Sequence, residues 1–322
     1  MSADKLDPDA QRVCEMIIAS GRPPIETLTP VEARAIYLAS KAILQPDPEP
    51  VAEVKELSAQ GPAGPIPLRL YRGQPATETD AQPVVVYFHG GGWVIGDLES
   101  HDQLCRALAN AVPCTVIAVD YRLAPEHKFP AAVEDAIAAT RWIADNADRL
   151  KVDAKRLAVA GDSAGGNLSA VVSIAARDSG GLTPVLQVLI YPGTDMAMQT
   201  VSISRHAEQL PLTRKGMQWF VDHYLRGPQD VHDWRASPLR AATLRGLPPA
   251  LIITAGFDPL GDEGEAFAKA LSSAGVSVDL ERFEGQIHGF ITMGRIVADA
   301  RRATDLGAAR LRAAFGQKPG GA

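Results

Sequence analysis

Hydrophobic residues along the chain follow two patterns, and the alternation of these patterns predicts the fold class. Short, nearly continuous apolar runs occupy residues 84–88, 115–119, 157–160, 185–190 and 251–254. Such runs are typical of strands that helices cover on both faces. Between the runs lie stretches with helical spacing, as at 133–150, where apolar residues recur at steps of three and four. Alternation of this kind predicts an α/β fold with a mostly parallel, doubly wound sheet.

Further elements flank this core. The runs at 51–58 and 66–72 are joined by a stretch rich in Gly and Pro, which predicts a β-hairpin. A final strand is expected at 276–283, followed by a last helix at 298–315. Residues 51–322 should therefore form one large α/β domain.

Residues 1–50 have a different character. Helical patterns at 10–20 and 30–44 are separated by two consecutive prolines. Thr29 followed by Pro30, with Glu32 close behind, is typical of a helix N-cap with proline at the first helical position. The segment is too short to be a domain, so we expect it to pack on the rest of the chain as a helical cap.

A second interruption lies at about 195–240, between two predicted strands. It is long for a plain crossover and holds Trp219, Phe220, Tyr224 and Trp234. We interpret it as an insertion whose helices cover the mouth of the functional site. A surface excursion with its own small core is the alternative.

Composition narrows the class of partner. The 322 residues are 46% hydrophobic and 22% charged, as in an ordinary folded globular protein. A net charge of −6 and a pI near 5.7 argue against nucleic acid or an anionic membrane as the partner. An uncharged or weakly polar small molecule fits better.

The sequence indicates no cofactor, metal or export signal. Cys14, Cys105 and Cys114 form neither a disulfide framework nor a C-x-x-C pattern, so free thiols are expected. The first residues lack the basic region and apolar run of a signal peptide. No apolar stretch approaches the ~20 residues that span a bilayer. We therefore expect no membrane insertion and a cytoplasmic location.

A candidate nucleophile stands between a predicted strand and a predicted helix. The strand at 157–160 leads into Gly161-Asp162-Ser163-Ala164-Gly165, and helical spacing follows. Small residues on both sides are needed when a serine occupies a strained strand-to-helix turn. G-x-S-x-G in this context is the nucleophile elbow of α/β-hydrolases, which makes Ser163 the predicted nucleophile.

A catalytic serine needs a base and a carboxylate that orients this base, and in this fold both follow it in the order serine, acid, histidine. Asp258 comes directly after the predicted strand at 251–254, at the edge where parallel sheets place their ligands. Helix capping is its alternative role. Of the seven histidines only His288 follows Asp258, although a lone loop histidine is often structural.

Acyl transfer also needs hydrogen-bond donors for an oxyanion. His89-Gly90-Gly91-Gly92 leaves a buried strand, and three glycines let the backbone approach a substrate and direct N–H groups at it. The Ala164 N–H should add a donor. His89 and Gly92 are expected to orient this loop, while a merely flexible loop is the alternative.

Together these segments resemble the hormone-sensitive-lipase-like esterases, the bacterial family IV carboxylesterases of the α/β-hydrolase fold. The matching segments run through most of the chain after residue 50 and lie at 89–93, 95–97, 120–126, 130–132, 134–135, 161–166, 258–260, 262–263 and 288–290. The resemblance implies an eight-stranded sheet with one antiparallel strand and a helical cap. It also implies a homodimer formed through the last strand.

For the site, the resemblance implies a triad of Ser163, Asp258 and His288, with the N–H groups of Gly90, Gly91 and Ala164 as oxyanion donors. The expected function is hydrolysis of short- to medium-chain carboxylic esters through an acyl-enzyme. An amidase or peptidase with the same triad is one alternative. A non-catalytic ligand-binding homologue is another, although such receptors lack the histidine that His288 supplies. Possible pocket-lining residues are Trp93, Trp219 and Tyr224.

Overall fold

The computed structural model describes residues 5–73, 81–206 and 210–317, so parts of the predicted segments at 1–50, 195–240 and 51–322 lie outside the described residues. Its eight strands, all within those ranges, are β1 (Glu53–Gly61), β2 (Gly64–Arg72), β3 (Gln82–Phe88), β4 (Thr115–Val119), β5 (Val152–Asp162), β6 (Gln187–Ile190), β7 (Ala250–Phe257) and β8 (Val278–Ile287). They form one sheet in the order β1-β2-β4-β3-β5-β6-β7-β8.

Strand directions in this sheet agree with the expected architecture. β2 runs antiparallel to both of its neighbours, β1 and β4, and every other neighbouring pair is parallel. The prediction of an eight-stranded, mostly parallel sheet with one antiparallel strand is therefore confirmed.

Helices alternate with the strands through most of the chain, as predicted, and ten α-helices lie within the described residues. They are α1 (Pro8–Ala19), α2 (Pro30–Leu44), α3 (Asp102–Ala111), α4 (Ala131–Asp145), α5 (Ala147–Leu150), α6 (Ala164–Asp178), α7 (Val201–Arg205), α8 (Arg214–Tyr224), α9 (Gly261–Ser273) and α10 (Asp299–Ala314). Because side chains alternate across a strand, each central strand contributes to two cores. One core packs against α3 and α10, and the other against α4, α6 and α9.

Local sequence accounts for the start of α2. The Thr29 hydroxyl accepts the Glu32 N–H, and the Glu32 carboxylate accepts the Thr29 N–H at 2.9 Å. This capping box satisfies N–H groups that a helix end leaves without intrahelical partners. The predicted N-cap is confirmed, with Pro30 in the first turn.

Strand ends differ more from the predictions than strand centres do. β5 begins at Val152, five residues before the apolar run, and β8 ends at Ile287, four residues after the predicted end. In β5 the additional residues include polar and partly exposed positions beside a register shift between β3 and β5. Apolar runs mark the part of a strand that is buried on both faces, so they underestimate its length.

Two regions lie outside the strand–helix alternation, α1–α2 and the segment that carries α7 and α8. They contact each other, since the Trp219 indole N–H donates to the Leu28 carbonyl at 3.2 Å. Tyr224 stacks on Trp93 with ring centroids 4.3 Å apart. The aromatic residues of the second region thus pack on the N-terminal segment and on the main domain.

Candidate active site

Ser163 stands at the tip of the turn between β5 and α6. Its backbone has φ 55° and ψ −117°, an unusual conformation for a residue with a side chain. The turn is tightly packed: a Cβ added to Gly165 would lie 1.9 Å from the Phe88 carbonyl oxygen. The small residue in the motif is therefore a steric requirement, because β3 passes directly beside the turn.

A continuous hydrogen-bond chain runs from Ser163 through His288 to Asp258. His288 Nε2 lies 3.0 Å from Ser163 Oγ, and His288 Nδ1 lies 2.8 Å from Asp258 Oδ2. Since a carboxylate only accepts, Nδ1 carries the proton and Nε2 is free to accept the serine hydroxyl. This is the geometry of a nucleophile with an oriented base.

Neighbouring strands bring the acid and the histidine together. Asp258 follows the last residue of β7 and His288 follows the last residue of β8, and Phe257 pairs with Ile287 in this parallel ladder. Asp258 is 1% exposed, and its second oxygen accepts the Leu260 N–H at 2.8 Å. The local bond expected of a capping aspartate is therefore present together with the bond to His288.

The turn that carries His288 is also tied to the N-terminal segment. The Asp7 N–H donates to the Gly285 carbonyl at 2.9 Å. The Gln286 side-chain amide donates to Asp7 Oδ2 at 3.0 Å and to Asp299 Oδ2 at 3.1 Å. Three segments that are distant in sequence thus hold the end of β8 in place.

The glycine loop differs from the prediction in which N–H groups it offers. The Gly90 N–H donates to Asp162 Oδ1 at 3.0 Å, and Gly90 does not line the cavity above Ser163. Gly91 and Gly92 do line it, and among the described residues their N–H groups have no acceptor. The assignment of Gly90 as a donor is therefore wrong, because a buried carboxylate already accepts its N–H. Gly92, which was expected to orient the loop, instead lines the cavity beside Gly91.

Ala164 is the first residue of α6, where N–H groups lack intrahelical acceptors, and it also lines the cavity. Gly91 has φ 122°, and a Cβ there would lie 2.1 Å from the Ile95 carbonyl oxygen. The glycine at this position is thus needed for the close packing of the loop.

His89 is placed to hold this loop rather than to react. Its Nδ1 lies 2.7 Å from the Gly90 carbonyl oxygen, and its ring stacks on Tyr121 with centroids 4.2 Å apart. The Tyr121 hydroxyl donates to the His89 carbonyl at 2.7 Å. Burial, reinforced by the nearby His101, lowers the pKa of His89 to about 4. The imidazole is therefore neutral at ordinary pH.

Sequence reasoning missed the polar groups behind the loop. Asp162 is 3% exposed, and its Oδ1 also accepts the Tyr87 hydroxyl at 2.8 Å. His101 Nε2 lies 3.2 Å from the same oxygen. Burial alone would raise the pKa of Asp162, but His101 and the Tyr87 hydroxyl hold it below its usual range. A charged residue inside an otherwise small-residue turn was the signal available in the sequence.

Above Ser163 opens a cavity of about 640 Å³, within the range of small-molecule sites. Its walls are mostly apolar and come from α1–α2, from the segment carrying α7 and α8, and from the ends of the strands. Trp93 lines it as expected. Trp219 and Tyr224 do not, because the first points to Leu28 and the second packs against Trp93. Phe220 and Met217 line the cavity instead.

A second buried carboxyl group, Glu263, lies on the cavity wall. Its Oε1 accepts the N–H groups of Thr194 at 2.6 Å and Asp195 at 3.2 Å. Its Oε2 has no partner among the described residues. Burial raises the pKa of Glu263 to about 8, so the carboxyl group is mostly protonated at neutral pH. Asp195 is paired in turn with Arg240 at 2.8 Å, which links the start of the segment at about 195–240 to its end.

Cys14, Cys105 and Cys114 are free and buried, as expected. Across residues 5–73, 81–206 and 210–317, no group of three or more His, Cys, Asp or Glu side chains could hold a metal ion. Within those ranges no helix has the length and apolar character needed to cross a bilayer.

Comparison with known proteins places the chain among esterases. A family model described as alpha/beta hydrolase fold matches residues 85–292. A carboxylic ester hydrolase of Mycobacterium tuberculosis, LipN, is 44% identical over 299 residues, which cover 91% of this chain and 79% of that protein. An ethyl acetate hydrolase of Pseudomonas putida is 38% identical over 306 residues, which cover 92% of this chain and 95% of that protein.

Solved structures of esterases resemble this chain as well. The ester-hydrolase EH1AB1 from the metagenome of Lake Arreo, complexed with a derivative of bipyridine phosphonate, superposes with a TM-score of 0.93 at 43% identity; the match covers 97% of this chain and 100% of that chain. A hyperthermophilic esterase from the archaeon Pyrobaculum calidifontis has a TM-score of 0.89 at 41% identity, with 96% and 98% covered. The chain belongs to the α/β-hydrolase family, among the hormone-sensitive-lipase-like esterases that its motifs resemble.

Proposed function

We propose that this protein is a serine carboxylesterase whose catalytic triad is Ser163, Asp258 and His288. The observation that carries the proposal is the hydrogen-bond chain from Ser163 Oγ to His288 at 3.0 Å and from His288 to Asp258 at 2.8 Å. Ser163 and His288 line a mostly apolar cavity, which suits an ester with hydrocarbon substituents. The related ester hydrolases support the same conclusion.

In this mechanism His288 Nε2 takes the proton of Ser163 as the serine oxygen attacks the ester carbonyl carbon. Asp258 holds the imidazole in the required tautomer and stabilises its positive charge. His288 then gives the proton to the leaving alcohol, and the acyl group stays on Ser163. Water, activated by the same histidine, hydrolyses this acyl-enzyme and restores the serine hydroxyl.

The oxyanion of each tetrahedral intermediate is assigned to the N–H groups of Gly91, Gly92 and Ala164. Two of these belong to the loop after β3 and one to the start of α6, and the helix dipole adds to the last. Donors held in advance need no reorganisation during the reaction, which makes this type of stabilisation effective.

The cavity of about 640 Å³ favours short- to medium-chain acyl groups. We assign the covering role to α1–α2 and to the segment at about 195–240, which supply most of the apolar wall. A homodimer through β8 is proposed because β8 is an edge strand, and within the described part of the chain its one neighbour is β7. Its test is the molar mass in solution by light scattering, where a monomer would contradict it. A cytoplasmic location stays an expectation from the sequence.

An amidase or peptidase would use the same triad, but no feature of the cavity favours an amide over an ester. The ligand-binding alternative is disfavoured, because the base that such a protein can lose is in hydrogen-bond contact with Ser163.

The decisive experiment is Ser163→Ala assayed on 4-nitrophenyl butyrate. Removing the nucleophile should lower kcat by ~10⁶, the scale found when a triad acts as a unit. Ser169→Ala is a matched control, because its buried hydroxyl bonds only the Gly165 carbonyl within α6 at 2.9 Å. Near-normal hydrolysis by Ser163→Ala would contradict the proposal. A fall in kcat of similar size in both variants would indicate a folding defect.

A further inference from the structure

Behind the glycine loop lies a buried polar cluster in which one carboxylate serves several partners. Asp162 Oδ1 accepts the Tyr87 hydroxyl at 2.8 Å and the Gly90 N–H at 3.0 Å. His101 Nε2 lies 3.2 Å from Oδ1 and 3.4 Å from Oδ2. Both Asp162 and His101 are almost completely buried. None of these contacts includes the reacting serine hydroxyl, so the cluster has no part in the proton transfers proposed above.

The hydrogen-bond partners around His101 are compatible with a doubly protonated imidazole. The Ser100 hydroxyl lies 2.9 Å from the Asp97 carbonyl oxygen and 3.0 Å from His101 Nδ1. When the hydroxyl donates to the carbonyl, its oxygen accepts from Nδ1. Nε2 faces a carboxylate, and only an N–H is attractive there. In this arrangement both nitrogens carry protons, and His101 is an imidazolium.

A neutral His101 with its proton on Nδ1 would instead accept the Gly90 N–H at Nε2, and the geometry argues against that tautomer. The Gly90 nitrogen is 3.3 Å from His101 Nε2 but only 3.0 Å from Asp162 Oδ1. An Nε2 lone pair would also face the lone pairs of both carboxylate oxygens.

Nearby His89 shows the contrasting state. The ring centroids of His89 and His101 are 5.6 Å apart. Nδ1 of His89 donates to the Gly90 carbonyl, and its Nε2 has no partner among the described residues. One histidine of the pair is therefore neutral and bonds the carbonyl of Gly90. The other, His101, reaches the N–H of Gly90 through Asp162.

We propose that the buried Asp162–His101 ion pair is a positioning device for the oxyanion hole. Asp162 directly precedes Ser163 and Ala164, and its side chain accepts a hydrogen bond from the Gly90 N–H of the glycine loop. A single residue thus joins the two backbone segments that supply the oxyanion donors. β3 and β5 pair Phe88 with Gly161, so the two segments start side by side and need only this short link. The inference rests on the proposed esterase function.

The positive charge of His101 has a second consequence. An unpaired carboxylate beside the nucleophile would repel the negative charge that develops on the oxyanion. Because His101 pairs with it, Asp162 can hold the loop without that penalty. The ion pair therefore provides the alignment and removes its electrostatic cost.

The test removes the charge of either partner in the ion pair with little change in the size of its side chain. In Asp162→Asn the amide oxygen can still accept from Tyr87 and Gly90, but the ion pair is lost; His101→Gln retains a donor without the charge. We expect kcat to fall by roughly 10- to 100-fold in both, less than the full loss of an oxyanion donor. KM should change by about twofold or less, since ground-state binding is untouched. Affinity for a trifluoromethyl ketone, which forms the oxyanion, should fall with kcat/KM.

Asp135→Asn is the matched control, because Asp135 is also buried and ion-paired, with Arg122 at 2.8 Å, and does not line the cavity. It should keep wild-type kcat and ketone affinity even if its melting temperature falls. Wild-type kcat in Asp162→Asn, or a change confined to KM, would overturn the proposal. A kcat loss of the same size in Asp135→Asn would also overturn it, by showing a general effect of stability.

The proton assignment has its own readout, which needs no catalysis. Nitrogen-15 NMR of histidine-labelled protein should show both nitrogens of His101 protonated at pH 7.5, identified by loss of that signal in His101→Gln. A neutral His101 would refute the ion pair even with esterase activity intact. An inactive Ser163→Ala leaves this signal unchanged. An active Ser163→Ala would reject the esterase mechanism and not the ion pair, so the two failures are distinguishable.

Discussion

The two sides of the cavity are built by different means. The side at the strand ends, which carries Ser163, Asp258, His288 and the glycine loop, is held by backbone contacts and buried hydrogen bonds. The opposite side, formed by α1–α2 and the segment carrying α7 and α8, consists mostly of apolar side chains, and Ile18 there is 67% exposed. Rigid placement suits bond-breaking chemistry, and adaptable apolar packing suits the choice of substrate. Changes on the first side should slow every ester equally, whereas changes on the second should reorder substrates.

The largest effect should come from Asp258→Asn. The amide cannot hold the His288 tautomer, so kcat should fall by ~10⁴ for all esters alike. Stopped assays on acetyl, butyryl and octanoyl 4-nitrophenyl esters measure this. Asp262→Asn is the control, since Asp262 accepts the Ser202 N–H at 2.7 Å and does not touch His288. A loss below tenfold in Asp258→Asn, or one that depends on acyl length, would contradict the comparison.

A smaller effect is expected on the opposite side from Phe220→Ala. The wild-type enzyme should prefer acyl chains of about two to eight carbons in a series from acetyl to palmitoyl, within the limits of a site this size. Removing the Phe220 ring enlarges the cavity, so kcat/KM for decanoyl and longer esters should rise several-fold relative to butyryl. Leu182→Ala, at an exposed position outside the cavity lining, should leave the series unchanged. An equal change at every length would remove the distinction between the two sides.

The smallest effect concerns Glu263, which connects the two sides. Its pKa of about 8 in the folded protein lies above that of an exposed carboxyl, so the folded state keeps a proton that the unfolded state loses. The stability from the neutral group is complete below about pH 4 and is lost as pH rises toward 8. Glu263→Gln cannot ionise, so its melting temperature should improve relative to wild type between pH 5 and pH 8 and level off above.

That experiment uses melting curves by circular dichroism at several pH values. Glu265→Gln is the control, because Glu265 is a partly exposed glutamate of the same helix, paired with Arg282. A difference between Glu263→Gln and wild type that does not vary with pH would show that Glu263 is ionised throughout.

Much of the fold and of the candidate active site could be predicted from the sequence, because the sequence patterns that indicate them are local. Five apolar runs, the predicted hairpin and the predicted final strand together located all eight strands. The order of Ser163, Asp258 and His288 along the chain singled out the residues that the structure brings into contact. The strand ends were missed because apolar runs mark only the part of a strand that is buried on both faces. Gly90 and Trp219 were misassigned for another reason. Which N–H points into the cavity depends on a contact between Gly90 and Asp162, 72 residues apart, and no local pattern records it. The same holds for Trp219, whose indole N–H meets Leu28 191 residues away.

The bond between Gln286 and Asp7 joins residues 279 positions apart. During synthesis Asp7 leaves the ribosome long before β8, because 270 residues lie between Asp7 and the start of that strand at Val278. Contacts of such long sequence separation form late, because the chain must first lose the entropy of a very large loop. The histidine turn therefore reaches its final position only after the whole stretch from Asp7 to Gln286 has been made. A nascent chain that lacks β8 would hold a complete nucleophile turn and yet have no activity.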